Sequence, residues 1–244
     1  MGGARREFPS TLWSEVLEAG DPKSPRRRER LDALVRAYWK PVYAYVRASW
    51  GKTVDDAKDL TQAFFAQLLS KDSMSRVRPE RGSFRGYLKT ALKHFLVDAE
   101  RAQASRRPER PVFGIEAASV EPAPGETPER AYDREWTRCL FEAAVGDLRG
   151  RLAEEGKRAY FECFRLYCLE PRGSARPSSF VRGVSAPGPT YADVARALKL
   201  KESDVRNYLS TCRVALREIL RARIRETVVD DGDVDAELEA VLRG

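Results

Sequence analysis

The sequence predicts an all-α protein: two small helical domains joined by a flexible linker. Three observations predict it. Apolar residues recur at i, i+3 and i+4 through residues 53–103. Aperiodic, proline-rich stretches at 105–130 and 171–189 break that period. Residues 190–217 read as a short helix, a turn and a longer helix. The expected division is therefore a first domain over 1–104, a linker over 105–130, a second domain over 131–226 with a loop insert at 171–189, and an acidic tail over 227–244.

The chain opens polar, with a short apolar segment at Leu12, Trp13, Val16 and Leu17 before GDPKSP and the basic run Arg26 to Arg28. Leu31, Leu34, Val35, Tyr38 and Trp39 mark an amphipathic helix. Pro41 removes a backbone donor, yet Val42, Tyr45 and Val46 continue the pattern, so a kink or restart is expected there. Thr53, with Asp56 three residues on, is a capping-box variant that starts the next helix. Its apolar arc is Val54, Ala57, Leu60, Phe64, Phe65, Leu68 and Leu69, while Asp55, Asp56, Asp59 and Gln62 fall opposite. A further helix buries Phe84, Tyr87, Leu88, Ala91, Leu92, Phe95 and Ala99.

On the other face of that last helix, Arg85, Lys89 and Lys93 recur every four residues as one cationic stripe, expected to face phosphate or water. The stripe extends a loop bearing Arg76, Arg78 and Arg81 and leads toward Arg101, Arg106 and Arg107. Between Lys71 and Arg110 there are eleven Lys or Arg against five Asp or Glu, a balance that favours a nucleic-acid partner. The formal net charge of +7 agrees, fitting a polyanion better than an acidic substrate.

Composition excludes several classes. The cysteines, at 139, 163, 168 and 212, have no CxxC spacing and His94 is the sole histidine, so no zinc site is expected and the thiols read as reduced and buried. No cofactor is implied. The N-terminal MGGARREFPS lacks an apolar signal core, and no stretch approaches the roughly 20 apolar residues of a membrane span. A soluble, cytoplasmic protein is expected.

After the linker, helix resumes around Trp136, Leu140, Phe141, Ala144 and Leu148, then from Lys157 through Phe161, Phe164, Leu166, Tyr167 and Leu169. Thr190 with Asp193 caps a short helix that buries Val194, Ala195 and Leu198. A turn at Lys199 to Lys201 follows, and Val205, Tyr208 and Leu209 of the longer helix face the same core. Arg206, Asn207, Ser210 and Arg213 then point outward, and Arg and Asn are the side chains that pair bidentately with guanine and adenine edges. The tail carries six acidic residues from Asp230 to Glu239; as a calcium loop it fails, with Ala236 and Leu242 at the required Gly and Glu, and it reads as an acidic amphipathic segment.

These motifs carry a resemblance. DxxDLTQxFF, a basic loop and SFRGYLKTALKHFLVDAERxxxxRR, preceded by TLWSEVLEAGD and YWKPVYAYVR, resemble region two of bacterial sigma factors of the extracytoplasmic-function type. TYADVARALKLKESDVRNYLSTCRVALREIL is similar to region four of the same factors. The resemblance implies a non-enzymatic factor that binds core RNA polymerase, at the beta-prime coiled-coil and beta flap, and directs initiation at promoter DNA, duplex and single-stranded. It implies polymerase contacts at Asp55, Asp59 and Gln62, minus-ten contacts at Arg81, Ser83, Arg85, Lys89, Lys93 and His94, and minus-thirty-five contacts at Arg206, Asn207, Ser210 and Arg213.

Two departures stand out. Lys199 occupies a turn position usually held by glycine, where a left-handed backbone costs about 1 kcal/mol. The acidic helix commonly reads DAEDLTQE in the family, whereas Lys58 and Ala63 here replace two carboxylates and weaken attraction to a basic coiled-coil. That deficit makes Thr61 a candidate phosphosite for a Ser/Thr kinase, since a phosphate would return about two negative charges. Against it, the same wheel puts Thr61 inside the apolar arc. Two other readings are a helix-turn-helix regulator acting without polymerase and, from the DDxxD spacing of Asp55, Asp56 and Asp59, a magnesium-dependent enzyme, although no later helix supplies the second acidic motif such a site needs.

Overall fold

The computed structural model describes residues 13–49, 53–70, 74, 77, 83–103, 122–123, 125–170, 189–225, 234–235 and 238–239. Among them there are eight α-helices and no strand: α1 (Trp13–Gly20), α2 (Arg27–Ala48), α3 (Val54–Leu68), α4 (Phe84–Gln103), α5 (Pro128–Glu154), α6 (Arg158–Phe164), α7 (Tyr191–Leu198) and α8 (Glu202–Arg225). A π-helical segment, Arg165–Leu169, continues α6. The protein is all-α, as its periodicity predicts. It divides into two compact units, residues 1–139 with 224–234, and 140–223 with 235–244. Arg76, Arg78, Arg81, Arg106 and Arg107 lie outside the described residues, as do residues 104–121 and 124, which take in most of the expected linker over 105–130, and residues 171–188 of the expected insert over 171–189.

In the first unit α2 is the central element. Every residue from Pro41 to Val46 is buried, which a one-faced amphipathic helix cannot achieve, so this half of α2 is enclosed on all sides. Pro41 sits inside the helix without ending it. Aromatic contacts join the helices: Trp39 stacks on Phe65 at 5.8 Å, Tyr38 meets Phe84 edge-on at 5.4 Å, and Phe64 meets Phe95 at 5.6 Å. Truncating any one of the buried rings costs about 3–5 kcal/mol. α1 packs on α2 through Val16 and Ala19, and the Arg30 Nε donates to Glu18 at 2.8 Å, which holds the Glu18 carboxyl below its ordinary range.

α3 starts where its cap predicts. The Thr53 hydroxyl oxygen accepts from the Asp56 amide at 3.2 Å, and the hydroxyl donates to the Asp56 carboxylate at 2.7 Å. Its buried face is Ala57, Thr61, Phe64, Phe65 and Leu68, narrower than the expected arc, since Val54 is exposed and Leu60 half-buried. In α4 the buried seam is Phe84, Leu88, Leu92 and Leu96, whereas Tyr87, Ala91, Phe95 and Ala99 are half-buried. The seam is thus rotated from the predicted face toward Leu96.

The second unit buries Leu140, Leu148 and Leu152 of α5, Cys163 and Phe164 of α6, Val194 of α7, and Val205, Leu209 and Cys212 of α8. α5 stops at Gly156, whose φ of 71° lets the Lys157 amide turn back to the Leu152 carbonyl at 2.8 Å. Thr190 and Asp193 form a complete capping box at the start of α7. In the tail, Val234 and Leu238 are buried and Asp235 pairs with Arg221 of α8.

Candidate nucleic-acid interface

α4 begins at Ser83, whose hydroxyl oxygen accepts from the Gly86 amide at 3.2 Å, so this side chain is occupied as a helix cap. Downstream of it the cationic stripe divides in two. Lys93 and His94 are exposed, as expected. Arg85 and Lys89 correct the expectation of a stripe facing phosphate or water throughout. At about 100° per residue, Arg85 falls between Leu92 and Leu96 and Lys89 just beyond, so the rotated seam carries both to the edge of the core.

What meets them there is the start of α5. The Lys89 ammonium lies 3.0 and 3.1 Å from the two Asp133 carboxylate oxygens, and Arg85 approaches the same carboxylate at 3.8 Å. The Arg85 guanidinium also lies 4.4 Å from the Trp136 ring centroid, and Lys89 is 5.9 Å from the Tyr132 ring. Side-chain exposure falls to 13% for Arg85 and 26% for Lys89, while Asp133 keeps 40%. Ala131, Tyr132 and Trp136 are fully buried beneath this contact, and Tyr45 of α2 meets Tyr132 edge-on at 6.5 Å. Burial pushes the Tyr132 hydroxyl well above its ordinary pKa, with Tyr38 adding to the effect and Arg85 opposing it. Asp133, Tyr132 and Trp136 were not among the residues the sequence singled out for this site. Their amphipathic spacing signals a helix, but nothing local points to α4, 44 residues away.

The acidic face of α3 is open. Asp55, Asp56 and Asp59 are exposed and Gln62 is half-buried. Lys58 approaches Asp55 at 3.9 Å, so part of the charge of this face is answered locally. Asp56 is committed to the Thr53 cap, which accounts for part of the DDxxD spacing, and among the described residues no His, Cys, Asp and Glu cluster is suited to hold a metal ion. Thr61 follows its place in the apolar arc and is a buried threonine. It has no exposed surface, and its hydroxyl donates to the Ala57 carbonyl at 2.7 Å. Modification of this hydroxyl would require α3 to open locally.

The second candidate surface is α8. Arg206, Asn207, Ser210 and Arg213 are all exposed on one side, over Val205, Leu209 and Cys212, which are sealed. Two guanidiniums rest near tyrosines: Arg206 is 5.7 Å from the Tyr191 ring and Arg213 5.9 Å from Tyr167, and the two rings stack at 5.1 Å. The turn before α8 places Lys199 at φ 55°, ψ 44°, the left-handed conformation that glycine usually supplies, with the Leu200 amide donating to the Ala195 carbonyl at 2.9 Å. Burial raises the Cys212 thiol to about 11, so it stays protonated at neutral pH beneath the helix. Its Sγ donates to the Tyr160 carbonyl at 3.4 Å.

Among the described residues no helix is long and apolar enough to cross a membrane. No curated protein matches the sequence. Residues 34–106 match the family model described as Sigma-70 region 2, a span that takes in most of α2 and all of α3 and α4. The match covers 73 of the 244 residues and marks this segment as similar to sigma-70 region 2.

Proposed function

We propose that the chain is a cytoplasmic sigma factor of the extracytoplasmic-function type, which recruits core RNA polymerase and directs initiation. In this reading Asp55, Asp59 and Gln62 dock the beta-prime coiled-coil, and the second unit meets the beta flap. Lys93 and His94, with Arg81, Ser83, Arg85 and Lys89, hold the minus-ten element. Arg206, Asn207, Ser210 and Arg213 read the minus-thirty-five element as duplex.

The observation that carries the reading is the coincidence of the matched span with two adjoining helices of opposite charge: α3 presents exposed carboxylates and α4 presents Lys93 and His94. One small bundle then holds an acidic face for a basic protein partner and a basic face for nucleic acid. Lys58 beside Asp55 predicts weak intrinsic affinity for polymerase.

The test is transcription in vitro from a promoter library with purified core polymerase. Factor-dependent transcripts that share upstream elements support the reading. DNA binding with no capture of core polymerase replaces it with a regulator acting alone. Charge reversal of Asp59 to Lys is expected to abolish polymerase capture while leaving the helical content intact.

A further inference from the structure

The contact between α4 and the start of α5 has the composition of a protein–nucleotide contact. Asp133 brings a carboxylate to Lys89 and Arg85, where a phosphate would sit, and Trp136 brings an aromatic face to the Arg85 guanidinium at 4.4 Å, where a base would stack. We propose that the first turns of α5 are an intramolecular nucleotide mimic, which competes with single-stranded nucleic acid for Arg85 and Lys89 and must withdraw before the whole stripe engages a strand. The inference rests on the sigma-factor reading for its biological meaning.

Three features of the contact suit an exchangeable occupant. The Lys89–Asp133 pair is partly exposed, so water and salt screen it and a phosphate can replace the carboxylate without leaving a buried charge unpaired. Next, the Tyr132 hydroxyl and the Trp136 indole N–H are buried with no hydrogen-bond partner among the described residues, and satisfying them in water offsets part of the apolar burial that withdrawal gives up. Finally, the stripe is covered over half its length only. Lys93 and His94 stay open, one turn beyond Lys89, and give an incoming strand a first foothold.

A covered stripe lowers apparent affinity by the fraction of molecules in which it is open. The test compares the full-length protein with Asp133→Asn, using a short fluorescent oligothymidylate as probe and capture of core polymerase as a parallel readout. Asp133→Asn keeps the side-chain shape and removes the charge, and is expected to tighten oligothymidylate binding about five-fold with unchanged helical content. Glu154→Gln, which removes one exposed charge from the same helix, is expected to leave binding within about two-fold of the parent. Lys89→Ala added to Asp133→Asn is expected to cancel the gain.

Equal affinity for the parent and Asp133→Asn, or an equal gain from Glu154→Gln, overturns the mimic. If polymerase capture persists in those proteins, the sigma-factor reading stands without it. Loss of polymerase capture by the parent and Asp133→Asn alike removes the sigma-factor reading, and the oligothymidylate comparison then decides the mimic by itself.

Discussion

The Tyr45 hydroxyl donates to the Glu129 carboxylate at 3.1 Å, linking the most enclosed stretch of α2 to the first turn of α5. Burial, then the Glu129 charge, pushes the Tyr45 pKa up to about 12 from its ordinary 10. A raised folded-state pKa means that the neutral phenol is the form the fold prefers. Its stabilising contribution is full below about pH 10 and is lost as pH rises toward 12. Tyr45→Phe is expected to cost about 1 kcal/mol at neutral pH and to lose less stability than the parent across that alkaline window, by urea titration at each pH.

Thr61 separates a buried hydroxyl from a regulatory one. Thr61→Val replaces a hydroxyl bonded to the Ala57 carbonyl by a methyl of similar volume and is expected to cost no more than about 1 kcal/mol. Thr61→Glu forces an unpaired charge into the α3 core and is expected to cost about 3 kcal/mol or more. Polymerase capture should persist in the first and fail in the second through unfolding, visible as lost helical signal.

Lys199 carries the left-handed turn between α7 and α8 without glycine's freedom. Lys199→Gly is expected to raise stability by about 0.5–1 kcal/mol, and Lys199→Val to lower it by a similar amount or more, since a β-branched side chain clashes hardest in that conformation. Denaturant midpoints give both values. A Gly variant with unchanged DNA affinity would show that the lysine charge has no part in binding.

The Asp193 carboxyl is held below its ordinary value, first by the Thr190 amide and then by the Thr190 hydroxyl. A depressed folded-state pKa contributes stability above the ordinary aspartate value of 3.8, which fades as pH falls through the lower folded value. Asp193→Asn is therefore expected to show a shallower acid limb below pH 4 than the parent. Thr190→Ala, which removes the cap itself, is expected to cost about 1 kcal/mol at neutral pH. Thermal unfolding followed against pH resolves the two.

What was legible in the sequence is what short-range chemistry determines. Thr53 and Thr190 announce helix starts because a hydroxyl three residues ahead of an acid satisfies the orphan amides, and both do so. The turn at Lys199 was legible as a turn, but that it keeps the left-handed backbone without glycine was not. The facing of α4 was not. Phe95 and Tyr87 offer as much apolar ring surface as the side chains of Leu92 and Leu96, and periodicity alone does not say which flank of a wide apolar arc goes inward. The Leu88–Leu92–Leu96 ladder was the available signal. The occupation of Arg85 and Lys89 was beyond local reading altogether, since it depends on Asp133 and Trp136 arriving from across a proline-rich stretch.

The enclosure of α2 also bears on how the protein is to be dissected. Similarity begins at residue 34, in the middle of a helix that starts at Arg27 and leans on α1. A fragment trimmed to that boundary would lose the Arg30–Glu18 pair and the Arg27 donation to the Leu69 carbonyl at 3.3 Å, and would bare apolar surface that Val16 and Ala19 cover. The edge of the recognisable segment and the edge of the smallest self-sufficient folding piece are different places, and excised versions should retain Trp13 onward.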